Sequence, residues 1–192
     1  ISHTSISSTL RPAFSSTFFA AGTGASAIGS GAFALADNAS AVGFNAVASG
    51  ANATATGANA QSTAEYATAS GAESLASGEQ STATGAASVA SGAGSLAGGA
   101  LSDAAGEEAV ALGYFSSASG DGATAVGAES VVSGTLSAGY GFASEATASY
   151  TTAIGGYAVA SAFNATALGS FAQATGSNSV ALGGDAFHQI GI

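Results

Sequence analysis

The 192-residue sequence has no cysteine, lysine, methionine or tryptophan, one proline (Pro12) and one arginine (Arg11). Without cysteine there can be no disulfide, thiolate nucleophile or cysteine metal site. The compartment stays open, because oxidising environments permit disulfides without requiring them. One arginine against 11 acidic side chains leaves a formal net charge of -10, so ion-pair networks cannot hold the fold together. Such a surface repels phosphate backbones and anionic lipid, which argues against nucleic acid and membrane surfaces as partners. No run of 18 apolar residues supplies a transmembrane helix, and none is expected to insert in a membrane. Large apolar side chains are also scarce. The hydrophobic fraction is 47%, but most of it is alanine, which buries little area, so a thick two-layer core is excluded.

What the chain has is glycine at a fixed interval. Stepping by seven from residue 22 to 183 visits 24 positions, of which 20 are glycine and four are alanine (Ala36, Ala64, Ala148, Ala162). No insertion or deletion breaks the register, and an internal repeat takes precedence over any local motif. The third residue after each of these positions is always Ala, Ser or Thr, and the fifth is nearly always Ala, while the fourth and sixth vary. Small and variable side chains thus alternate with the period of a strand. A heptad coiled coil is excluded, since it needs large apolar a and d residues and each helical glycine costs about 1 kcal/mol. Collagen needs glycine every third residue and abundant proline.

The structural unit spans two of these steps. Large apolar residues recur once per double step at the sixth position, most regularly from Leu112 to Leu182, and small hydroxyls occupy the alternate half-series. Two short strands and two turns per double step make one coil of a solenoid. The expected fold is therefore all-β, a parallel β-roll of 14-residue coils. About twelve coils at a strand spacing of ~4.8 Å give a rod roughly 55 to 60 Å long. Ala109, Ala111, Ala123, Ala125, Ala165 and Ala167 should point into a narrow lumen, and each glycine should permit a tight turn with φ above zero. Residues 22–183 form the repeat, 1–21 a lead-in or cap, and 184–192 an exit segment. The start at Ile1 suggests a fragment or a processed chain, with any signal or anchor outside it.

One outer face should be wet, carrying the hydroxyl series, and one dry. Val110, Leu112, Val126, Ile154, Leu168, Val180 and Leu182 make a stripe better explained by partner chains than by exposure. Packing against an absent cap is the alternative. The stripe weakens between about residues 50 and 105. Nine of the 11 acidic residues occupy the two positions after the period-seven residue. Asp37, Glu65, Glu79, Glu107, Glu108 and Asp121 define an acidic edge, and Phe44, Tyr114, Phe115, Phe142, Tyr157 and Phe171 an aromatic one. Tyr114, Phe115, Phe142, Tyr157 and Phe171 are the candidate ligand surface, with structural coil-to-coil ladders as the alternative reading.

Chemistry has little support, and no catalytic residue, cofactor or metal ligand is assigned. His3 and His188 lie at opposite ends, with only Asp185 near His188, and a nucleophile needs an oriented base. Glycines 22, 24, 29 and 31 lack the lysine of a phosphate loop. Glu107 and Glu108 are adjacent, so at most one should face a common site. Glycosylation triplets at Asn38, Asn52 and Asn164 arise easily from an Asn-Ala-Ser/Thr repeat.

The segments SAIG (26–29), NASAVG (38–43), EAVALG (108–113), TTAIG (151–155), NATALG (164–169) and NSVALG (178–183) alternate with segments such as GSFAQATG (169–176). In this phase the chain resembles the YadA-like head domain of trimeric autotransporter adhesins over residues 22–183. The resemblance implies a left-handed parallel β-roll and a homotrimer. It also implies adhesion to host, extracellular-matrix or environmental surfaces, as the extracellular head of an outer-membrane-anchored protein on the bacterial cell surface. It places Ile28, Val42, Val110, Leu112, Val126, Ile154, Leu168, Val180 and Leu182 against the trimer axis. A neck motif is not recognisable before the chain ends at DAFHQIGI. The rival readings are an ice-binding solenoid, motivated by Thr54/Thr56 and Thr82/Thr84 but weakened because those pairs are not sustained from coil to coil, and a spacer displaying another domain.

Overall fold

The computed structural model describes residues 17–188. The alternation of small and variable residues folds there as two parallel sheets. One has twelve three-residue strands, from Ser26–Ile28 to Val180–Leu182, and the other thirteen two-residue strands, from Phe19–Ala20 to Phe187–His188. Successive strands along the chain alternate between the sheets, and each pairs with the equivalent strand of the next coil. Ile28 thus lies beside Val42, and Leu168 beside Leu182. The result is a parallel β-solenoid of about twelve turns. Of the expected lead-in and exit, residues 1–16 and 189–192 lie outside the described residues, as does His3.

The lumen is lined by the fifth and third residues of each half-coil. Ala109, Ala111, Ala123, Ala125, Ala165 and Ala167 are fully buried, as expected, and the largest wholly buried side chains are Val132 and Thr151. Turn carbonyls accept from the buried hydroxyls of Ser74, Ser88, Ser102 and Ser116, whereas those of Ser81, Ser95 and Ser179 have no hydrogen-bond partner among the described residues. Ser74 donates to the Gly71 carbonyl at 2.9 Å and Ser102 to the Gly99 carbonyl at 2.8 Å. A hydroxyl paired in this way avoids the desolvation cost that an unpaired buried one incurs.

The turns correct the sequence reading of the glycines. Positive φ occurs at alternate members of the period-seven series, from Gly29 to Gly183, where it runs from 112° to 142°, and not at the other members, which begin with Gly22. Ala36, Ala64, Ala148 and Ala162 all belong to the series that begins with Gly22, so alanine replaces glycine only where φ is not positive. The left-handed residue present in every half-coil lies two positions further on, from Gly24 to Asp185, and most often it is not glycine. At Ala64–Ala67 the turn closes with a bond from the Ala67 N–H to the Ala64 carbonyl at 3.3 Å, with Tyr66 at φ 56°. A positive φ at the third residue is the signature of a type II turn. The left-handed residue also bonds to the coil before it: the Tyr66 N–H donates to the Ala51 carbonyl and the Asn52 N–H to the Asp37 carbonyl, both at 2.9 Å. The intercoil ladder therefore continues through the turns, which holds unfavoured residues in the left-handed region.

Candidate functional site

With the small residues facing inward, the variable fourth and sixth residues form two outward columns on each sheet. On the three-residue-strand sheet, the sixth-position column holds Ile28, Val42, Leu112, Val126, Ile154, Leu168 and Leu182. Val110 and Val180 stand in the neighbouring fourth-position column. All nine residues expected at an interface thus share one face of a single sheet. Leu182 is 70% exposed and Ile28 62%, while Val110 and Val126 are half-buried by adjacent coils. The same two columns carry the threonines. Thr54, Thr68 and Thr82 are register partners, as are Thr56, Ser70 and Thr84, so the hydroxyls continue over three successive strands. The threonine pairs themselves are not sustained, as expected, because Ser70 stands between Thr56 and Thr84. The sixth-position hydroxyls end at Val42 on one side and Gly98 on the other, whereas the fourth-position hydroxyls run on through Ser40 and Ser26 and end at Leu96.

The opposite sheet is less uniformly wet than expected. Its sixth-position column carries Ser and Thr apart from Leu35 and Ala105, but its fourth-position column includes Phe33, Val47, Leu75, Val89, Val131 and Val159. The sequence signal was present at that position but was overlooked beside the more regular hydroxyl series. Asp103 interrupts this column between Val89 and Ser117, and partial burial raises its carboxyl above the ordinary aspartate range.

The aromatic edge is built from turn residues. Tyr157 and Phe171, one coil apart, stack with ring centroids 5.0 Å apart and planes 9° from parallel, and Phe142 meets Tyr157 edge-on at 5.3 Å. Tyr114 and Phe115 are adjacent and tilted, 6.1 Å apart. Stacking covers the facing ring surfaces of Tyr157 and Phe171 but leaves both side chains about half exposed. Sequence reasoning missed a second aromatic group on the acidic edge, where Tyr150 meets Phe163 edge-on at 5.6 Å and Tyr66 is exposed. Both residues of that pair occupy the two positions after the period-seven residue, where the acidic series drew attention instead. A stacked aromatic pair contributes about 0.5 to 1.5 kcal/mol beyond its buried area. Tyr157→Ser with Phe171→Ser is therefore expected to lower stability by about 1 to 2 kcal/mol in denaturant unfolding. Loss of target binding with assembly intact would assign the rings to a ligand, whereas loss of both would assign them to structure.

On the acidic edge, aspartates bridge coils: Asp37 accepts from the Thr23 N–H at 2.7 Å and Asp121 from the Glu107 N–H at 3.1 Å. The small Ala93–Gly94 turn leaves a shallow notch between Glu79 and Gln80 on one side and Glu107 and Glu108 on the other. Glu107 and Glu108 both border this notch. Among the described residues no group of three or more His, Cys, Asp or Glu side chains is placed to hold a metal ion. Asn38, Asn52 and Asn164 occupy left-handed turn positions in side-chain ladders. Asn38 donates to Asn52 at 3.3 Å and Asn164 to Asn178 at 3.0 Å.

The family description that matches this arrangement is the YadA head domain repeat, in two-copy units, over residues 20–46, 48–74, 76–102, 104–130 and 160–186. No curated protein matches the chain. The five units recur in 28-residue steps, and only the step between 130 and 160 is skipped. That step contains Val132, the largest wholly buried side chain, and Gly139, which stands where the fifth residue is otherwise small but bears a Cβ. With repeat, register and lumen all in agreement and the matches spread over most of its length, the chain belongs to the YadA head domain repeat family.

Proposed function

We propose that the chain is the head segment of a trimeric bacterial surface adhesin. In this reading three left-handed β-rolls pack around an axis, and the rod is displayed outside the cell on an outer-membrane-anchored protein. It attaches to host, matrix or environmental surfaces through features repeated along its length, not through a pocket, and it performs no catalysis. The observation that carries this reading is the aliphatic column left uncovered on one sheet of a single chain, from Leu112 to Leu182. Burying a Val, Leu or Ile side chain is worth about 1.5 to 3 kcal/mol, and a column of them on one face is an interface feature. Ile28, Val42, Val110, Leu112, Val126, Ile154, Leu168, Val180 and Leu182 face the axis in this assembly. The acidic and aromatic turn edges remain outside and offer the binding surface, with Tyr114, Phe115, Phe142, Tyr157 and Phe171 as its aromatic part.

Adhesion by a trimer multiplies weak contacts, so binding should depend on assembly. Leu112→Asp with Leu168→Asp is expected to give single chains that keep their far-UV circular dichroism. Retention on a matrix-coated surface should fall at least about tenfold relative to the parent chain. Undiminished retention by single chains would contradict the reading, and failure of the parent rod to bind any matrix or cell surface would favour a spacer. The three-strand rank of Thr54, Thr68 and Thr82 favours a second reading, ice binding. Its short extent and its continuation into Val42 and Leu112 along the same face count against it, and thermal hysteresis is expected to be absent.

A further inference from the structure

A solenoid with a strict 14-residue coil presents the same backbone after every step along its axis. Two such chains packed face to face meet an equivalent backbone surface after sliding by one coil, about 4.8 Å. Backbone shape alone therefore cannot align them. If every neighbouring pair slid by one coil, the contact would no longer close on itself, and a ring would become an open helical assembly. Alignment must come from a side-chain pattern that is not periodic.

The outward face of the three-residue-strand sheet carries such a break. Ile28 and Val42 are followed by the hydroxyls of Thr56, Ser70 and Thr84 before aliphatic residues resume at Leu112. At the level between Thr84 and Leu112 stands Gly98, and the Leu112 side chain leans over it: a Cβ there would lie 2.5 Å from Leu112 Cδ2. The neighbouring column changes character within the same stretch, from Thr82 to Leu96 and Val110 and back to Thr124.

Resting on the three-chain assembly proposed above, we infer that this hydroxyl block is an alignment mark that keeps the three chains level and the assembly closed. With chains level, hydroxyls meet hydroxyls and aliphatics meet aliphatics. A slip of one coil sets Thr56 against Val42, Thr82 against Leu96 and Thr124 against Val110. A slip of two instead sets Thr56 against Ile28, Ser70 against Val42 and Thr84 against Leu112. Each such contact presses a hydroxyl against carbon with no partner, which is unfavourable and is repeated at every interface of the ring. Tyr140 is bulkier than its neighbours in the column and carries one phenolic hydroxyl, a single further break beside the three-residue block. An uninterrupted aliphatic column would lose contact only at its ends on slipping.

The test compares the parent chain with a variant levelled in both columns, Thr56→Val, Ser70→Val and Thr84→Val in one and Leu96→Thr and Val110→Thr in the other, substitutions that suit outward strand positions. Native mass spectrometry reads closure. Because the sequence has no cysteine, oxidation of mixed chains bearing Ile154→Cys or Leu168→Cys, register partners in successive strands, reads alignment. The parent should give one three-chain mass and disulfides between identical positions. The levelled variant, with unchanged circular dichroism, should give masses beyond three chains and 154–168 disulfides comparable in yield to the level ones. A levelled variant that stays three-chain and level would overturn this inference alone, as would 154–168 disulfides in the parent. A parent of single-chain mass would overturn the assembly proposal as well.

Discussion

Gly57→Ala is expected to destabilise the fold by roughly 2 to 4 kcal/mol, while Gly50→Ala, the preceding member of the period-seven series, should cost less than about 1 kcal/mol. At Gly57 φ is 132°, and an added Cβ would lie 2.5 Å from the Gly71 carbonyl oxygen. That backbone region is open essentially to glycine alone, and strain of this kind costs about 1 to 3 kcal/mol before the steric contact is added. Gly50 has no positive φ. A Cβ there would also press on a carbonyl, that of Ala64. However, Ala36, Ala64, Ala148 and Ala162 stand at the equivalent level of other coils, so the backbone yields there by a small shift. Urea unfolding of the two single variants measures the difference, and equal losses would contradict the assignment of the two glycine series.

The second large effect is expected across the lumen at the step that the family match skips. Val132 is fully buried on one sheet and Gly139 faces it from the other. A Cβ built on Gly139 would lie 2.8 Å from Val132 Cγ2, 3.0 Å from Ser144 Oγ and 3.1 Å from Ser130 Oγ. The two departures from the repeat therefore offset each other in volume. Gly139→Ala overfills the lumen and should cost about 1 to 3 kcal/mol. Val132→Ala removes two buried methyl groups at about 0.8 kcal/mol each and leaves a void beside a glycine, for a loss of roughly 2 kcal/mol or more. The double variant restores the alanine pair seen at Ala118 with Ala125 and at Ala146 with Ala153, and it replaces a strand glycine. It should be about as stable as the parent, giving a coupling of roughly 3 to 5 kcal/mol in a double-mutant cycle. Additive losses would show that the two side chains do not share one space.

How much of this was legible in the sequence follows from what each position is asked to do. The lumen was readable because it admits only Ala, Ser, Thr or, at Val132, one compensated exception, and so Ala109 through Ala167 could be placed by residue. The aliphatic period of one residue per coil was readable because Leu112 to Leu182 keep one column. The turn conformation was misread because glycine drew attention to the period-seven position, whereas the left-handed residue lies two places on. Its occupants include Tyr66, Leu101, Glu108 and Phe171, none of which signals positive φ. The cue was the Asn and Gly at 24, 31, 38, 45, 52, 59, 94, 122, 164 and 178, residue types that tolerate that region. The edges were only half legible for a related reason. A turn side chain is free to be acidic or aromatic, and only stacking on the equivalent turn of the next coil, as at Tyr157 and Phe171, fixes what it does.

The most direct test of the account is the mass of the 192-residue chain in solution at micromolar concentration, by light scattering. One chain weighs 17.7 kDa. The expected result is a single species of three times that mass, with the column from Leu112 to Leu182 covered by its own copies. A species of 17.7 kDa that stays single as concentration rises would contradict it.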